Sequence, residues 1–478
     1  MNDRKLSLVT DFYELTMSNG YFENNMQDTI AYFDVFFRQV PDNGGYVICS
    51  GLEQIIDYIK NLKFDSDDIS YLRSLNKFSD IFLDYLSHFK FTGDIWAIPE
   101  GTVVFPQEPL ITVRAPIIEA QILETMILMI INHQCLIATK SSRIVSSAKG
   151  RPVMEFGARR AHSVDAAVFG ARAAIIGGCV GTSCTYTAKE FDTVASGTMA
   201  HSFIQSFDSE YDAFKAYAEM YPDDCILLID TYDTINSGIV NAIKVFNDIL
   251  IPKGFRPKGV RLDSGDLAYL SKKVRKILDN AGFEDCKICV SNSLDENLIS
   301  SLLEQGAQID SFGVGENLIT AKSDPVFGGV YKLCALEKDG KIIPKIKISE
   351  NITKITNPGF KKVYRFYSKD TGKALADVIT LDGESIPTSN YVIFDPINPW
   401  RKKTLVNYNY KPLQEQIFKN GELIYETPSL NEISKHCKEE LSTLWDEVKR
   451  LNNPHKYYVD LSDNLWNLKN NMLKQRAK

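Results

Sequence analysis

The chain has 478 residues, 44% of them hydrophobic and 24% charged, with a formal net charge of −7 at pH 7. That is room for about two to four domains and a large core, in a composition typical of globular proteins. The acidic balance excludes a general nucleic-acid surface, which needs a clustered basic footprint, yet it allows a local cationic pocket for a small anion.

The opening residues, Met1-Asn2-Asp3-Arg4-Lys5-Leu6, are polar, and no secretory leader is expected. Ala31–Arg38 is rich in aromatic residues and predicts a strand, closed by the turn Pro41-Asp42-Asn43-Gly44-Gly45. Residues 50–90 carry helical patterning, and residues 1–140 together predict an N-terminal α/β domain. The longest apolar run, Ile122–Ile137, is interrupted by Glu124, Asn132, His133 and Gln134. It is too short and too polar to span a bilayer, so a buried helix and no membrane partner are expected.

Between residues 150 and 335 short apolar runs alternate with helical stretches. The runs are Val153–Phe156, Cys179–Gly181, Val194–Gly197, Ile226–Asp230, Gly259–Asp263, Lys287–Asn292 and Ser311–Val314. Helical periodicity falls at Val164–Ile175, Ser209–Met220, Ser237–Leu250, Asp266–Ala281 and Glu296–Glu304. Such alternation implies a parallel sheet. About seven units imply an α/β barrel, here residues 141–340, with its chemistry at the C-terminal strand ends. Residues 341–478 predict a β-rich and helical region packing back on the first domain. Hairpin-like sequence begins after residue 335, with turns at Asp339-Gly340 and Asp382-Gly383, and amphipathic helices follow over Leu430–Leu451 and Ser462–Gln475.

The nine cysteines form no even framework, which suits a reducing cytoplasm. Cys286-Lys287-Ile288-Cys289 is formally CxxC, but it falls in a strand with no second pair at zinc spacing. Two buried thiols are expected there.

The run ends repeat one set of groups. Phe156-Gly157-Ala158-Arg159-Arg160 offers an aromatic face and two guanidinium forks. Gly181-Thr182-Ser183 offers hydroxyl and backbone donors, and Asp230-Thr231-Tyr232-Asp233 offers paired carboxylates. Arg261-Leu262-Asp263 places a cation and a carboxylate on one strand face. Gly313-Val314-Gly315 and Gly328-Gly329 offer bare backbone N–H groups that suit phosphate. The GxG at 313 lacks a third glycine at dinucleotide spacing, since Leu318 stands there, so no Rossmann fingerprint is present. His201 lies in the small-residue loop Gly197-Thr198-Met199-Ala200-His201-Ser202, where a neutral imidazole can act as base or nucleophile. Singly, each feature is as well explained by packing or a barrel-end salt bridge. Jointly they form the inventory of a phosphoribosyl-handling site: Arg for anions, Asp for sugar hydroxyls or Mg²⁺, and glycines for phosphate.

Five segments in order carry a family resemblance: Thr10-Asp11-Phe12-Tyr13-Glu14-Leu15-Thr16-Met17, Glu155–Ala161, Gly197–Ser202, Val260–Asp266 and Phe327–Leu333. Over nearly its whole length the chain resembles nicotinate phosphoribosyltransferase. The resemblance implies an irregular (β/α) barrel of the type II phosphoribosyltransferase kind, with an N-terminal α/β domain and a C-terminal extension. It also implies a cytoplasmic homodimer with shared active sites.

The implied substrates are nicotinate and phosphoribosyl pyrophosphate (PRPP), with ATP and Mg²⁺ as co-reactants. Tyr13, supplied by the partner subunit, and Phe156 match the aromatics that sandwich the pyridine ring. Arg261 matches the fork beside the pyridine carboxylate, and Ser183 and Thr198 add hydroxyl donors. In the related nicotinamide enzyme an aspartate stands at the position of Ser183, so serine favours the acid. Asp263 is expected to hold the ribose hydroxyls, directly or through Mg²⁺ and water. Gly313, Gly315, Gly328 and Gly329 are expected to cradle the 5′-phosphate, and Arg38 and Arg159 to meet the pyrophosphate. Glu316 departs from the family's usual threonine and is expected to turn away or meet a cation. His201 matches a phosphorylated histidine, with Asp230 expected to orient its ring. The alternatives are the nicotinamide-using relative and a non-catalytic phosphosugar-binding barrel.

Overall fold

The computed structural model describes residues 5–351 and 354–476. The chain forms two compact units. The first gathers residues 1–136, 326–428 and 435–478; the second holds residues 137–325 and 429–434. The boundary after residue 136 falls inside the helix Glu124–Ser147.

The first unit is built on an antiparallel seven-stranded sheet. At its centre, Ile30–Phe36 pairs with Ile111–Pro116 on one side and Val330–Lys338 on the other. The aromatic run near the start is therefore a central strand, buried from Ala31 to Phe37. Val330–Lys338, which the sequence reading grouped with the barrel, lies in this unit because its hydrogen-bonding edge is taken by Ile30–Phe36. Asp339 (φ 51) and Gly340 (φ 69) make the tight turn into Lys341–Pro344; two left-handed residues match the strand twist of a hairpin. A four-stranded sheet of C-terminal segments completes the unit. Arg365 is fully buried there, paired with Asp377 (2.6 Å) and Glu440 (2.7 Å).

The expected helix over Leu430–Leu451 stops at Thr443, and Leu444 is buried beyond its end. The stretch Ile117–Ser147 is long and apolar enough to cross a membrane, and 61% of its most apolar window is buried within the protein. Such burial marks a core helix.

The second unit is organised around a parallel sheet in the order Val153–Glu155, Ser311–Val314, Lys287–Val290, Gly259–Leu262, Ile226–Leu228. Val260, Leu262, Ile288, Val290, Phe312 and Val314 are fully buried, the near-continuous apolar pattern of a parallel sheet covered on both faces. Two further parallel bridges, Glu155 to Thr182 and Thr182 to Ala195, extend the order beyond Val153–Glu155. The expected strands at Cys179–Gly181 and Val194–Gly197 are thus single contacts. Val180 and Val194 are 52% and 60% exposed, and no apolar face pulls these segments into a ladder. Helices Val164–Ile176, Glu210–Met220, Leu267–Asn280 and Glu296–Glu304 follow strands or loops, each entered through a Ser or Asp cap. This is the irregular α/β barrel.

Candidate active site

The strand register sets the site. Leu228 faces Arg261, Leu262 faces Val290, Val290 faces Phe312, and Val314 faces Glu155, so neighbouring strands end within two residues of one another. The residues just beyond them, Asp230, Asp263, Ser291, Gly315 and Phe156, emerge on one edge of the sheet.

Arg261 is the organising cation. Its Nε donates to Ser291 Oγ at 3.0 Å, and Nη1 donates to Thr198 Oγ1 at 3.0 Å and to the Met199 carbonyl at 3.2 Å. Nη2 donates to Asp263 Oδ1 at 3.2 Å. Ser291 also donates to Asp263 Oδ1. Four polar partners thus lock a guanidinium whose side chain is 14% exposed; so fixed, it presents a planar fork without further loss of rotamer freedom.

His201 opens the short helix His201–Gln205. Its Nδ1 lies 3.1 Å from Thr231 Oγ1, and its Nε2 lies 3.7 Å from Asp263 Oδ2. The ring's hydrogen-bond partner is therefore Thr231 and not Asp230. Asp230 Oδ2 instead accepts from the Asp263 backbone N–H (2.9 Å) and from Ser264 Oγ (2.6 Å). The second oxygen of Asp230 is buried without a hydrogen-bond partner among the described residues. Asp233 caps the following helix through the N–H groups of Ile235 and Asn236, so only the first carboxylate of the expected pair serves the site.

Phe156 follows Val153–Glu155 and donates its N–H to the Val314 carbonyl at 2.7 Å. A Cβ at position 313 would lie 2.4 Å from Phe156 Cδ2, so Gly313 makes room for the aromatic ring. Glu155, fully buried, accepts from Thr182 Oγ1 (2.7 Å) and from the Gly157 N–H, which holds the turn after Phe156. Burial pushes the Glu155 carboxyl above its ordinary range. Ser183 is tied to this strand by its N–H to the Glu155 carbonyl (2.9 Å), and its side chain is exposed. Arg159 is exposed in the turn Ala158–Arg160. Gly315 precedes the one-turn helix Glu316–Ile319. Glu316 meets Lys322 at 2.7 Å, and that ammonium holds its carboxyl below the ordinary value.

Four expected site residues belong to the first unit: Tyr13, Arg38, Gly328 and Gly329. Tyr13 is 44% exposed on the helix Phe12–Glu23. Arg38 Nε is buried without a hydrogen-bond partner among the described residues. Gly328 adopts φ +70, which favours glycine. Gly329 donates its N–H to Asn132 Oδ1 at 2.8 Å, so that donor is already engaged.

The sequence reading missed Thr231, Ser291 and Glu155 as supporting groups. Thr231 and Glu155 stand inside the motifs it quoted. Ser291 follows a strand and meets Arg261 across 30 positions of chain, for which no local signal exists. Among the described residues no group of three or more His, Cys, Asp or Glu side chains could hold a metal by itself. Asp230 and Asp263 on neighbouring strands, one with an orphaned buried oxygen, fit a cation that completes its shell with water and substrate oxygens.

Comparison with known proteins supplies the family. Family models match residues 8–132 (nicotinate phosphoribosyltransferase N-terminal domain), 152–378 (nicotinate phosphoribosyltransferase family) and 360–469 (the C-terminal domain). The chain is 45% identical to nicotinate phosphoribosyltransferase of Bacillus subtilis over 98% of its own length and 95% of the relative's. The crystal structure of human nicotinic acid phosphoribosyltransferase superposes with a TM-score of 0.86 at 27% identity, covering 97% of this chain and 99% of that one. A structure described as nicotinate-nucleotide pyrophosphorylase from Pyrococcus furiosus gives 0.70 at 26% identity, covering 92% and 96%. Fold, strand-end site and full-length similarity agree, and the chain belongs to the nicotinate phosphoribosyltransferase family.

Proposed function

We propose that this enzyme transfers the phosphoribosyl group of PRPP to the ring nitrogen of nicotinate in NAD salvage, and that ATP drives the transfer through a phosphate carried on His201. The observation that carries this reading is the Arg261 fork, locked by Thr198, Ser291 and Asp263 beside the Phe156 strand end. A fixed guanidinium suits a carboxylate, and an aromatic face orients the ring so that its nitrogen meets the anomeric carbon. Tyr13 of the partner subunit would cover the other face in a cytoplasmic homodimer; its exposure supports that role. Ser183 brings no negative charge, which favours the acid over the amide.

In the transfer, the nicotinate nitrogen forms the new bond as pyrophosphate leaves. Arg38 and Arg159 would meet the departing charge. Asp263 and Asp230 would hold ribose hydroxyls or Mg²⁺, which supplies charge neutralisation at the phosphates. Gly313, Gly315, Gly328 and Gly329 remain the proposed 5′-phosphate cradle, with Gly313 also making room for Phe156. At His201, donation of Nδ1–H to Thr231 would leave the Nε2 lone pair free to attack the γ-phosphorus of ATP as its bond to the β,γ-bridging oxygen breaks and ADP leaves, and Asp263 faces the charge that develops on the ring.

The test is mass spectrometry after incubation with ATP, which should find an acid-labile phosphate on His201. His201→Ala should lose ATP coupling while retaining some transfer. Full coupling in that variant would refute the phosphohistidine, and preferential turnover of nicotinamide would refute the substrate.

A further inference from the structure

The first unit contains a cavity of about 1220 Å³ that no step above uses, apart from Arg38 at one wall. Its lining draws on the loop after Phe394, the segment Asn453–Leu461 and the C-terminal helix Asp463–Arg476. Six basic side chains line it: Arg38, Arg401, Lys402, Lys403, Lys456 and Lys469. In a chain of net charge −7 that is a marked local reversal. None of the six forms an ion pair within 4.0 Å among the described residues. Lys469 donates to the amide oxygen of Asn357 at 2.8 Å, and burial pulls its ammonium down to about 8.

The two lining carboxylates answer only part of this charge, Asp395 and Asp460 both feeling the field of Lys456. Asp395 is occupied as a turn acceptor, taking the N–H groups of Ile397 (2.9 Å) and Asn398 (3.0 Å). Asp460 is 5% exposed, and burial, aided by Asp395, pushes its carboxyl up to about 7. Six cations against two carboxylates leave a net positive charge, and an anion with several charges relieves the repulsion among them. The walls also hold aromatic surface: Tyr458 is 37% exposed, and the ring of Trp466 is partly exposed.

We propose that this cavity is a second binding site, distinct from the strand-end site, for a small metabolite bearing two or more linked phosphates. The phosphates would sit on Arg401, Lys402, Lys456 and Lys469. A cleft of this size takes a nucleoside polyphosphate, whose base the aromatic wall can contact. The same cations would take inorganic polyphosphate. Extended nucleic acid follows an open groove and is not expected here.

The test is calorimetry on the full chain with ATP and with inorganic tripolyphosphate as separate probes, in wild type, His201→Ala and Lys402→Glu/Lys456→Glu. A site is expected that survives His201→Ala, weakens as salt rises, and loses about tenfold or more in affinity in the charge-reversed variant. Tighter binding of ATP than of tripolyphosphate identifies a nucleotide; equal binding identifies the phosphates alone. Nicotinate turnover at saturating substrate should stay unchanged in the charge-reversed variant, whose folding is checked by its melting temperature. Unaltered binding of both probes in that variant overturns the proposal. So does a parallel rise in the KM for PRPP, which would assign these cations to the transfer reaction. Neither outcome bears on phosphate at His201, which the mass measurement reads independently.

Discussion

Gly313→Ala separates two roles for one glycine. An added Cβ would lie 2.4 Å from Phe156 Cδ2 and 2.6 Å from Cε2. The backbone has little room to yield. Gly313 is in register with Met154 and Val314 with Glu155, and the Phe156 N–H is bound to the Val314 carbonyl at 2.7 Å. The Phe156 ring must therefore swing. Overpacking of this kind costs about 1–3 kcal/mol. If the ring is the platform for the pyridine, most of that cost appears in nicotinate affinity, about tenfold to a hundredfold in its KM.

Steady-state kinetics with each substrate varied in turn is the assay. The nicotinate KM should rise and the PRPP KM should move little. Phe156→Ala should remove the clash, so the pair of substitutions should cost clearly less than the sum of the single ones. A rise confined to the PRPP KM would refute the reasoning and return Gly313 to the phosphate cradle. Simple additivity would refute the clash itself.

Three further outcomes are expected. Thr231→Val removes the hydroxyl at His201 Nδ1 and should slow phosphoryl uptake from ATP by about tenfold, the worth of roughly one hydrogen bond; an unchanged rate of labelling would exclude Thr231 as the orienting group. Glu14 is fully buried, and burial lifts its carboxyl from 4.5 to about 7. An acid raised by folding gives stability that is complete below pH 4.5 and declines as pH rises through 7, so Glu14→Gln should be relatively more stable at pH 8, by about 2 kcal/mol; equal melting shifts at pH 5 and pH 8 would contradict this. Arg365→Met strands the buried carboxylates of Asp377 and Glu440 and should cost about 3–5 kcal/mol in denaturant unfolding, whereas a loss below about 1 kcal/mol would show that these groups take up protons instead.

Much of the second unit was legible because its strands are buried on both faces. Val153, Val260, Ile288 and Phe312 announce themselves as apolar runs, with the polar residues after them at one edge. Pattern reading failed where packing decides. Val194 looks like a strand residue but lies 60% exposed, and its segment makes one bridge. The helix from Leu430 keeps its periodicity past Thr443, yet Leu444 leaves the helix for a buried turn. Within the site, residue type predicted chemistry better than partnership. Glycine at 313 and 329 suggested phosphate, but the nearest neighbours are the Phe156 ring and the Asn132 amide. The family resemblance implied Asp230 as the group orienting His201, and the neighbouring hydroxyl of Thr231 takes that place.

The role of Asp263 follows from its two oxygens. Oδ1 accepts from Ser291 and from Arg261, while Oδ2 faces His201 Nε2 at 3.7 Å. One carboxylate thus stands between the proposed nicotinate fork and the proposed phosphate carrier. Phosphorylation changes the charge at His201 by one to two units, and at about 4 Å an effective dielectric of about 20 makes such a change worth about 4 kcal/mol per charge. Asp263 cannot answer that change without altering its hold on Arg261. This gives ATP turnover a short electrostatic path to substrate affinity, with no domain motion required. Asp263→Asn keeps an acceptor for Ser291 and Arg261 but removes the charge. In that variant His201 should still be labelled by ATP, while ATP should no longer tighten nicotinate or PRPP. Loss of labelling would place Asp263 in phosphoryl transfer itself. Undiminished tightening would show that the coupling runs by another route, with the Asp230 contact to the Asp263 backbone N–H, at 2.9 Å, the next link to break.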